Sequence, residues 1–271
     1  MTHQNSLNEH HNLMEFDVIG DIHGCFDEFI ELLQKLNYSI SISPSSTIHW
    51  KEYEVTHPEN RKIVFVGDYI NKGNKNIELL KLILSMFKSE IAIGVAGNND
   101  EALLYYYENK FKSLGEDADK TIHQIDEKGS LFRNRVYQFL KSLPSHILLA
   151  NDTVLICHAG LREEFHHINS EEVRKLAIFG ERNTDKNLDI LRRRLSWIKT
   201  YQGKTKVIFG HTPVKEAIWL NNTLDIDTGC VYGGKLTALR YPTLEIVSIT
   251  AKRCYVDTKN FTLSNLTIDD L

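Results

Sequence analysis

Short apolar runs that end in a glycine or a polar residue recur along this chain. Phe16–Ile19 leads into Gly20-Asp21, Lys62–Val66 into Gly67-Asp68, and Ile91–Ala96 into Gly97-Asn98. Thr153–Cys157 leads into His158, and Lys206–Phe209 into Gly210-His211. Compact apolar runs bounded by turn residues predict buried strands. Between them, Phe26, Phe29, Ile30, Leu33 and Leu36 fall at helical spacing and predict an amphipathic helix. Ile77–Phe87, Glu101–Phe111 and Leu131–Leu143 repeat the helical pattern, the last through Phe132, Val136, Phe139 and Leu140. The opening order βαβαβα implies strands joined by helical crossovers on the sheet faces, an α/β class.

Three stretches depart from this alternation. The charged segment near 112–130 predicts an inserted cap or loop. Glu171–Arg194 is charged, part helical and part loop-like. The end of the chain is richer in β signals, with Leu224–Ile226, Leu236–Arg240 and Leu244–Ile249 and turns at Gly233-Gly234 and Tyr241-Pro242. Residues 1–14 are polar and rich in His and Asn, which predicts a disordered tail, with 15–271 forming a single domain.

Bulk properties narrow the class only a little. A chain of 271 residues that is 42% hydrophobic supports a substantial core. A formal net charge of −4 gives no whole-chain reason to expect a nucleic-acid partner. The four cysteines Cys25, Cys157, Cys230 and Cys254 are scattered and form no CxxC pair, so reduced thiols are expected rather than a disulfide framework. No apolar stretch has transmembrane length and the N-terminus lacks a signal-peptide core, so a cytoplasmic protein with no membrane partner is expected. Nothing in the pattern sets an oligomeric state.

The chemistry lies at the strand ends. Asp21, His23, Asp68, Asn98, His158 and His211 each follow a predicted strand, and strand ends converge at one edge of an α/β sheet. Asp21 and His23 are two apart and point to one side of an extended segment, which suits chelation of one ion. Asp68 can bridge two ions, and Asn98, His158 and His211 complete the second. Mixed oxygen and imidazole donors suit Mn, Fe, Zn or Ni better than Mg or Ca. Two such ions activate water and clamp a phosphoryl group, which favours hydrolysis of a phosphate ester or anhydride. A single Gly-Asp after a strand is usually a turn, and a lone His is usually structural; the ordered set of five motifs is what makes the pattern specific. His3, His10 and His11 belong to the tail, His166 and His167 read as surface residues, and His146, after Pro144-Ser145, lies within reach of the cleft. Cys25 and Cys157 adjoin motif residues and read as packing thiols.

Taken together, Gly20-Asp21-Ile22-His23-Gly24, Gly67-Asp68, Gly97-Asn98, His158-Ala159-Gly160 and Gly210-His211 resemble the signature of the calcineurin-like metallophosphoesterases, in the PPP phosphatase branch. The resemblance runs from about Phe16 to Ile249. The stretch Ile226–Pro242 is similar to that of the bacterial PrpE-type diadenosine tetraphosphatase group and of the phosphatase module of bacterial polynucleotide kinase-phosphatase. The resemblance implies a central β-sandwich flanked by helices and two divalent metal ions in its cleft, with manganese foremost. It implies Asp21, His23 and Asp68 on one ion, and Asp68, Asn98, His158 and His211 on the other. It also implies a phosphate-gripping role for Arg194.

The chain departs from that pattern at three positions. Asn99 stands where the family has its general-acid His, Asn71 where it has the supporting Asp, and Lys72 where it has a phosphate-gripping Arg. Lys72 keeps the charge but loses the bidentate fork. Losing a general acid costs about 10²–10⁴ in rate, least for a good leaving group. The expected substrate is therefore a phosphorylated small molecule such as a dinucleoside polyphosphate or an aryl phosphate, with a phosphoprotein fitting less well. Asn99, Lys72 and Arg194 would contact phosphate, while Asp100, Lys72 or His146 would stand in as acid. Two other readings stay open at this point: a weakened phosphatase-like protein that binds phosphorylated ligands without turnover, and a nucleic-acid end phosphatase.

Overall fold

The computed structural model describes residues 12–44, 52–181 and 190–257. His3, His10, His11 and most of the expected tail lie outside them. The chain begins with β1 (Phe16–Ile19), α1 (Phe26–Lys35), the antiparallel pair β2 (Ser39–Ile42) and β3 (Tyr53–Thr56), and β4 (Lys62–Phe65). It continues through α2 (Asn76–Lys88), β5 (Ala92–Gly94), α3 (Asn98–Tyr107), α4 (Glu116–Glu127) and α5 (Ser130–Ser142). Then come β6 (His146–Leu149), β7 (Val154–Cys157), α6 (Glu171–Phe179), α7 (Ile190–Leu195) and β8 (Lys206–Phe209). The last strands are β9 (Trp219–Leu220), β10 (Thr223–Asp225), β11 (Lys235–Tyr241) and β12 (Glu245–Thr250).

Two five-stranded mixed sheets stack face to face, in the orders β12-β11-β1-β4-β5 and β6-β7-β8-β10-β9. Period-two alternation explains the layers. Phe16, Val18, Val64 and Val66 point inward against Ile147, Val154, Ile156, Ile208 and Leu224 of the other sheet. The alternate residues Ile19, Ile63 and Phe65 point outward and pack under the helices α1 to α5. Leu155, Cys157, Val207 and Phe209 do the same on the other outer face, beneath Val173 and Ala177 of α6, Leu195 and Trp197. Strands covered on both faces must be apolar throughout, which is why they read as continuous runs. The fold is thus the expected β-sandwich with helices on both outer faces.

The segment near 112–130 is mostly helical and packs on the core. It forms α4 and the turn into α5, and Ile122 and Ile125 are buried in the core beneath the first sheet. Its charged residues hide the helix because only one narrow stripe is apolar. Leu13 also belongs to the fold: it packs on the inter-sheet core, and its carbonyl accepts the Ala150 N–H at 3.2 Å.

At the N-terminal end of β1 a buried ionic cluster ties the first sheet together. The Asp17 carboxylate is fully buried and takes Arg61 Nη2 at 2.8 Å, Tyr38 Oη at 2.9 Å and Arg240 Nε at 3.3 Å. Arg61 Nη2 also donates to the carbonyls of Phe16 at 2.7 Å and Tyr241 at 2.8 Å. Removing one partner of such a pair strands a buried charge, which costs about 3–5 kcal/mol. Arg61→Ala is expected to lose stability on that scale in urea unfolding, and Arg61→Lys to lose less than half of it.

Candidate metal centre

Topology brings the motifs together. Strands β1, β4 and β5 run parallel in one sheet, and β7, β8 and β10 run parallel in the other. Parallel strands end on the same edge, so six carboxyl ends meet along one side of the sandwich. The turns beyond them are held by main-chain bonds. The Asp68 carbonyl accepts the N–H groups of Ile22 at 3.2 Å and His23 at 3.0 Å, and the Gly73 N–H reaches the His23 carbonyl at 2.8 Å. Within the second sheet the Gly210 N–H donates to His158 O at 2.8 Å, and across the sheets the His211 N–H reaches Asp21 Oδ2 at 3.2 Å.

These turns are strained. His23, Asp68, Asn71, Lys72 and His211 have φ of 48°, 51°, 74°, 65° and 72°, in the left-handed region that few non-glycine residues adopt. Such conformations cost of order 1 kcal/mol each and persist where their surroundings enforce them. Gly210 is required on steric grounds, because a Cβ there would run into the Asp21 carboxylate. A Cβ on Gly97 would likewise strike the Asp68 amide and its Oδ1.

All six expected donors converge. Ligand atoms of Asp21, His23 and Asp68 lie within 4.8 Å of one another. Asn98 Oδ1 is 3.1 Å from His158 Nε2 and 2.7 Å from His211 Nδ1, which are themselves 3.2 Å apart. Asp68 faces both groups, with Oδ2 3.4 Å from His23 Nε2 and Oδ1 3.6 Å from His158 Nε2.

The donor chemistry fits cations. His23 Nδ1 lies 3.1 Å from Ile70 O and His158 Nδ1 lies 3.0 Å from Val66 O, so each must donate there. In the neutral ring this leaves Nε2 as a bare lone pair aimed into the cluster. Among Asn98 Oδ1, His158 Nε2 and His211 Nδ1, only the last can carry a proton to share, so one N–H must serve two acceptors. Asp21 Oδ1 is buried with no hydrogen-bond partner among the described residues. A pair of cations answers every one of these groups. Burial also keeps the imidazoles neutral: it pushes His23 down to about 3, with the Lys72 ammonium adding to the effect, and lowers His158 and His211. Burial, Asp227 and Asp68 push Asp21 upward, and burial raises Asp227 to about 6.

The neighbouring positions are less uniform. Asn99 is pinned by three bonds: its N–H donates to Asp68 Oδ1 at 2.9 Å, its Nδ2 to Asp68 Oδ2 at 2.7 Å, and its Oδ1 accepts Asn71 Nδ2 at 3.1 Å. Lys72 Nζ sits 3.1 Å from His23 Nε2 and 5.4 Å from the Tyr232 ring centre, taking the lone pair a metal would take. Arg194, half-buried on α7, is close enough to act electrostatically on His158, His211 and Asp227.

Two candidate acids are placed elsewhere. Asp100 is buried and accepts the N–H groups of Asp68 at 2.7 Å, Gly97 at 2.9 Å and Tyr69 at 3.3 Å. It is the third residue of α3, so the helix starts at Asn98, ahead of the expected Glu101, and Asp100 caps it. Its carboxylate is committed to backbone, not aimed at the cleft. The ring of His146 is also committed, with Nδ1 3.0 Å from Ser145 Oγ and Nε2 3.1 Å from His166 O. His166 is buried rather than on the surface, with Nε2 3.1 Å from Leu161 O. The site contains residues not singled out in the sequence, Asp225, Asp227 and Tyr232. The signal was there: Asp227 follows the apolar strand Leu224–Ile226 just as the other donors follow theirs.

Two outcomes follow from this geometry. Gly210→Ala, which forces the Asp21 carboxylate aside, is expected to reduce bound divalent metal to below half of the native content in elemental analysis of the folded protein. His146 is neutral in the fold, because burial lowers it from 6.5 to about 4. The unfolded chain therefore binds the extra proton between those values, so the contribution is complete above about 6.5 and is lost as pH falls towards 4. At about 1.4 kcal/mol per unit this is at most roughly 3.5 kcal/mol. The stability gap between native protein and His146→Gln, measured by denaturant unfolding, is expected to shrink as pH falls from 7 to 4.

Comparison with known proteins shows the family. Residues 14–248 match the family model for calcineurin-like phosphoesterases. The chain is 35% identical over 250 residues to the bis(5'-nucleosyl)-tetraphosphatase PrpE [asymmetrical] of Anoxybacillus flavithermus, covering 91% of this chain and 98% of that one. The crystal structure of a candidate diadenosine tetraphosphatase superposes with a TM-score of 0.57 at 23% identity, over 88% of this chain and 94% of that one. A cold-active protein-tyrosine phosphatase from a psychrophilic Shewanella superposes at 0.54 with 14% identity, over 90% of this chain and 82% of that one. These two share the fold. The protein belongs to the calcineurin-like phosphoesterase family and is a hydrolase of phosphate esters or anhydrides.

Proposed function

We propose that this phosphohydrolase cleaves phosphoanhydrides of the dinucleoside polyphosphate class, using two divalent ions, with manganese foremost and iron, zinc or nickel as alternatives. Asp21, His23 and Asp68 would hold one ion, and Asp68, Asn98, His158 and His211 the other. Bound there, such ions supply an activated water and offset the charge of the phosphoryl oxygens. Arg194 and Lys72 bring positive charge to the phosphate, and the Asp68 turn fixes its place relative to them.

The observation that carries the substrate class is the bonding of Asn99. Its amide is clamped between Asn71 and Asp68, and it has no acidic proton for a leaving group. Asp100 and His146 are turned away, so neither replaces it. Departure without protonation suits a nucleotide phosphate or a phenolate and penalises a serine alkoxide. The activity for which the PrpE relative is named, cleavage of a bis(5'-nucleosyl) tetraphosphate, is of the favoured kind.

The test is a substrate panel with Mn²⁺ that spans leaving-group pKa, from dinucleoside polyphosphates and aryl phosphates to alkyl phosphates. A steep fall in kcat/KM with rising leaving-group pKa is expected, and a flat profile would reject the reading. In Asn99→His combined with Asn71→Asp, alkyl phosphate turnover is expected to rise by about 10²-fold while anhydride turnover changes little. No gain for the alkyl substrates would show that another acid already serves them.

A further inference from the structure

A second constellation of metal-binding atoms lies behind the cleft. Cys25, Glu28 and Cys230 are each at most 1% exposed, and one ligand atom from each lies within 4.8 Å of the others. Two short spans of chain build it. Cys25 is the N-cap of α1 and Glu28 its third residue, so the first helical turn sets thiol and carboxylate on one side. Cys230 comes from the loop that follows β10.

The Glu28 carboxylate is the informative group. Its Oε1 accepts both the Lys252 N–H at 2.8 Å and Tyr255 Oη at 2.7 Å. These two donors fix the carboxylate from the far side. Its Oε2 is buried with no hydrogen-bond partner among the described residues. An unpaired carboxylate oxygen in the interior is strongly disfavoured unless a proton or a cation meets it. Here the atoms beside it are two sulfurs.

We infer that Cys25, Cys230 and Glu28 form a binding site for a thiophilic divalent cation of the zinc class, separate from the phosphoryl-transfer centre. Two thiolates and one carboxylate oxygen are a ligand set that selects Zn²⁺ over Mg²⁺ or Ca²⁺. On binding, both thiol protons leave to solvent and two S–Zn bonds form, with no oxidant required. A disulfide between the cysteines would leave Glu28 Oε2 unanswered, so the carboxylate favours the cation. Because all three ligands are buried, the ion enters as the chain folds. Its role is mechanical: it ties the turn carrying His23 to the loop carrying Asp227 and Tyr232.

Cobalt distinguishes this site from the cleft, because thiolate ligands give a near-ultraviolet charge-transfer band that carboxylate, amide and imidazole ligands do not. The full-length protein is refolded under reducing conditions with Co²⁺ alone, and its spectrum recorded. A thiolate-to-cobalt band is expected, bleached by one equivalent of Zn²⁺ per chain. It should be absent in Cys25→Ser and Cys230→Ser and weakened at least tenfold in affinity in Glu28→Gln. His158→Asn, which disturbs only the cleft, should retain it. Absence of the band in the folded native protein would overturn the inference, and this outcome does not depend on whether any variant folds. A Cys25–Cys230 disulfide in protein isolated without oxidant, seen by mass spectrometry, would also overturn it.

Discussion

Asp68 holds the site together through nearly every polar atom it has. Its carbonyl receives two N–H groups from the β1 turn, its own N–H is taken by Asp100, and its carboxylate faces His23 on one side and His158 on the other. The main chain at this residue is left-handed, which its neighbours enforce. The consequence is a carboxylate buried at the junction of two sheets with an imidazole lone pair on each side. Groups of that kind are stable together only around positive charge. The glycines at 97 and 210, the positive-φ turns and the capping of α3 all serve that placement.

The altered positions have to be understood within the same network. Asn71 and Asn99 do not leave a hole where an acid–base pair would stand. They form a hydrogen-bonded chain that ends on the Asp68 carboxylate, so the amide pair is part of the support for the donor. A neutral amide there stabilises an ionised Asp68 without offering a proton to anything else. Lys72, with its ammonium between His23 and Tyr232, keeps positive charge at the cleft where a fork-shaped side chain would have given directional bonds. The positive charge at this corner of the cleft is kept and the amide chain is fully bonded, so under the proposed function these positions bear on proton delivery to the leaving group and not on the integrity of the site.

The remoter packing supports the same edge. The buried Asp17–Arg61–Arg240 cluster secures the opposite end of β1, so the strand that carries Asp21 and His23 is fixed at both ends. Arg174 pairs with the buried Glu101 at 2.6 Å and links α6 on one outer face to α3 on the other. Tyr255 and Lys252 bring the chain's later segment back against α1 through Glu28. Each of these joins elements distant in sequence, and each lies within a few residues of a donor.

Much of this was legible in the order of residues. Strands buried on both faces must be apolar along their length, so their runs stand out, and the polar residue that ends each run marks the edge where ligands gather. That marked the strands and set the six candidate donors at one edge; the sandwich and the three altered neighbours came with the family resemblance. The sequence pattern did not decide what depends on direction. Asp100 and His146 are plausible acids by composition, but the start of α3 turns one towards backbone amides and the β6 register turns the other towards His166. The helix α4 was hidden because a single apolar stripe is outnumbered by its charged faces. Asp227 and Glu28 look like ordinary carboxylates in a list of residues. Only the tertiary structure buries them, and burial is what gives an unpaired oxygen its chemical meaning, because water no longer shares its charge.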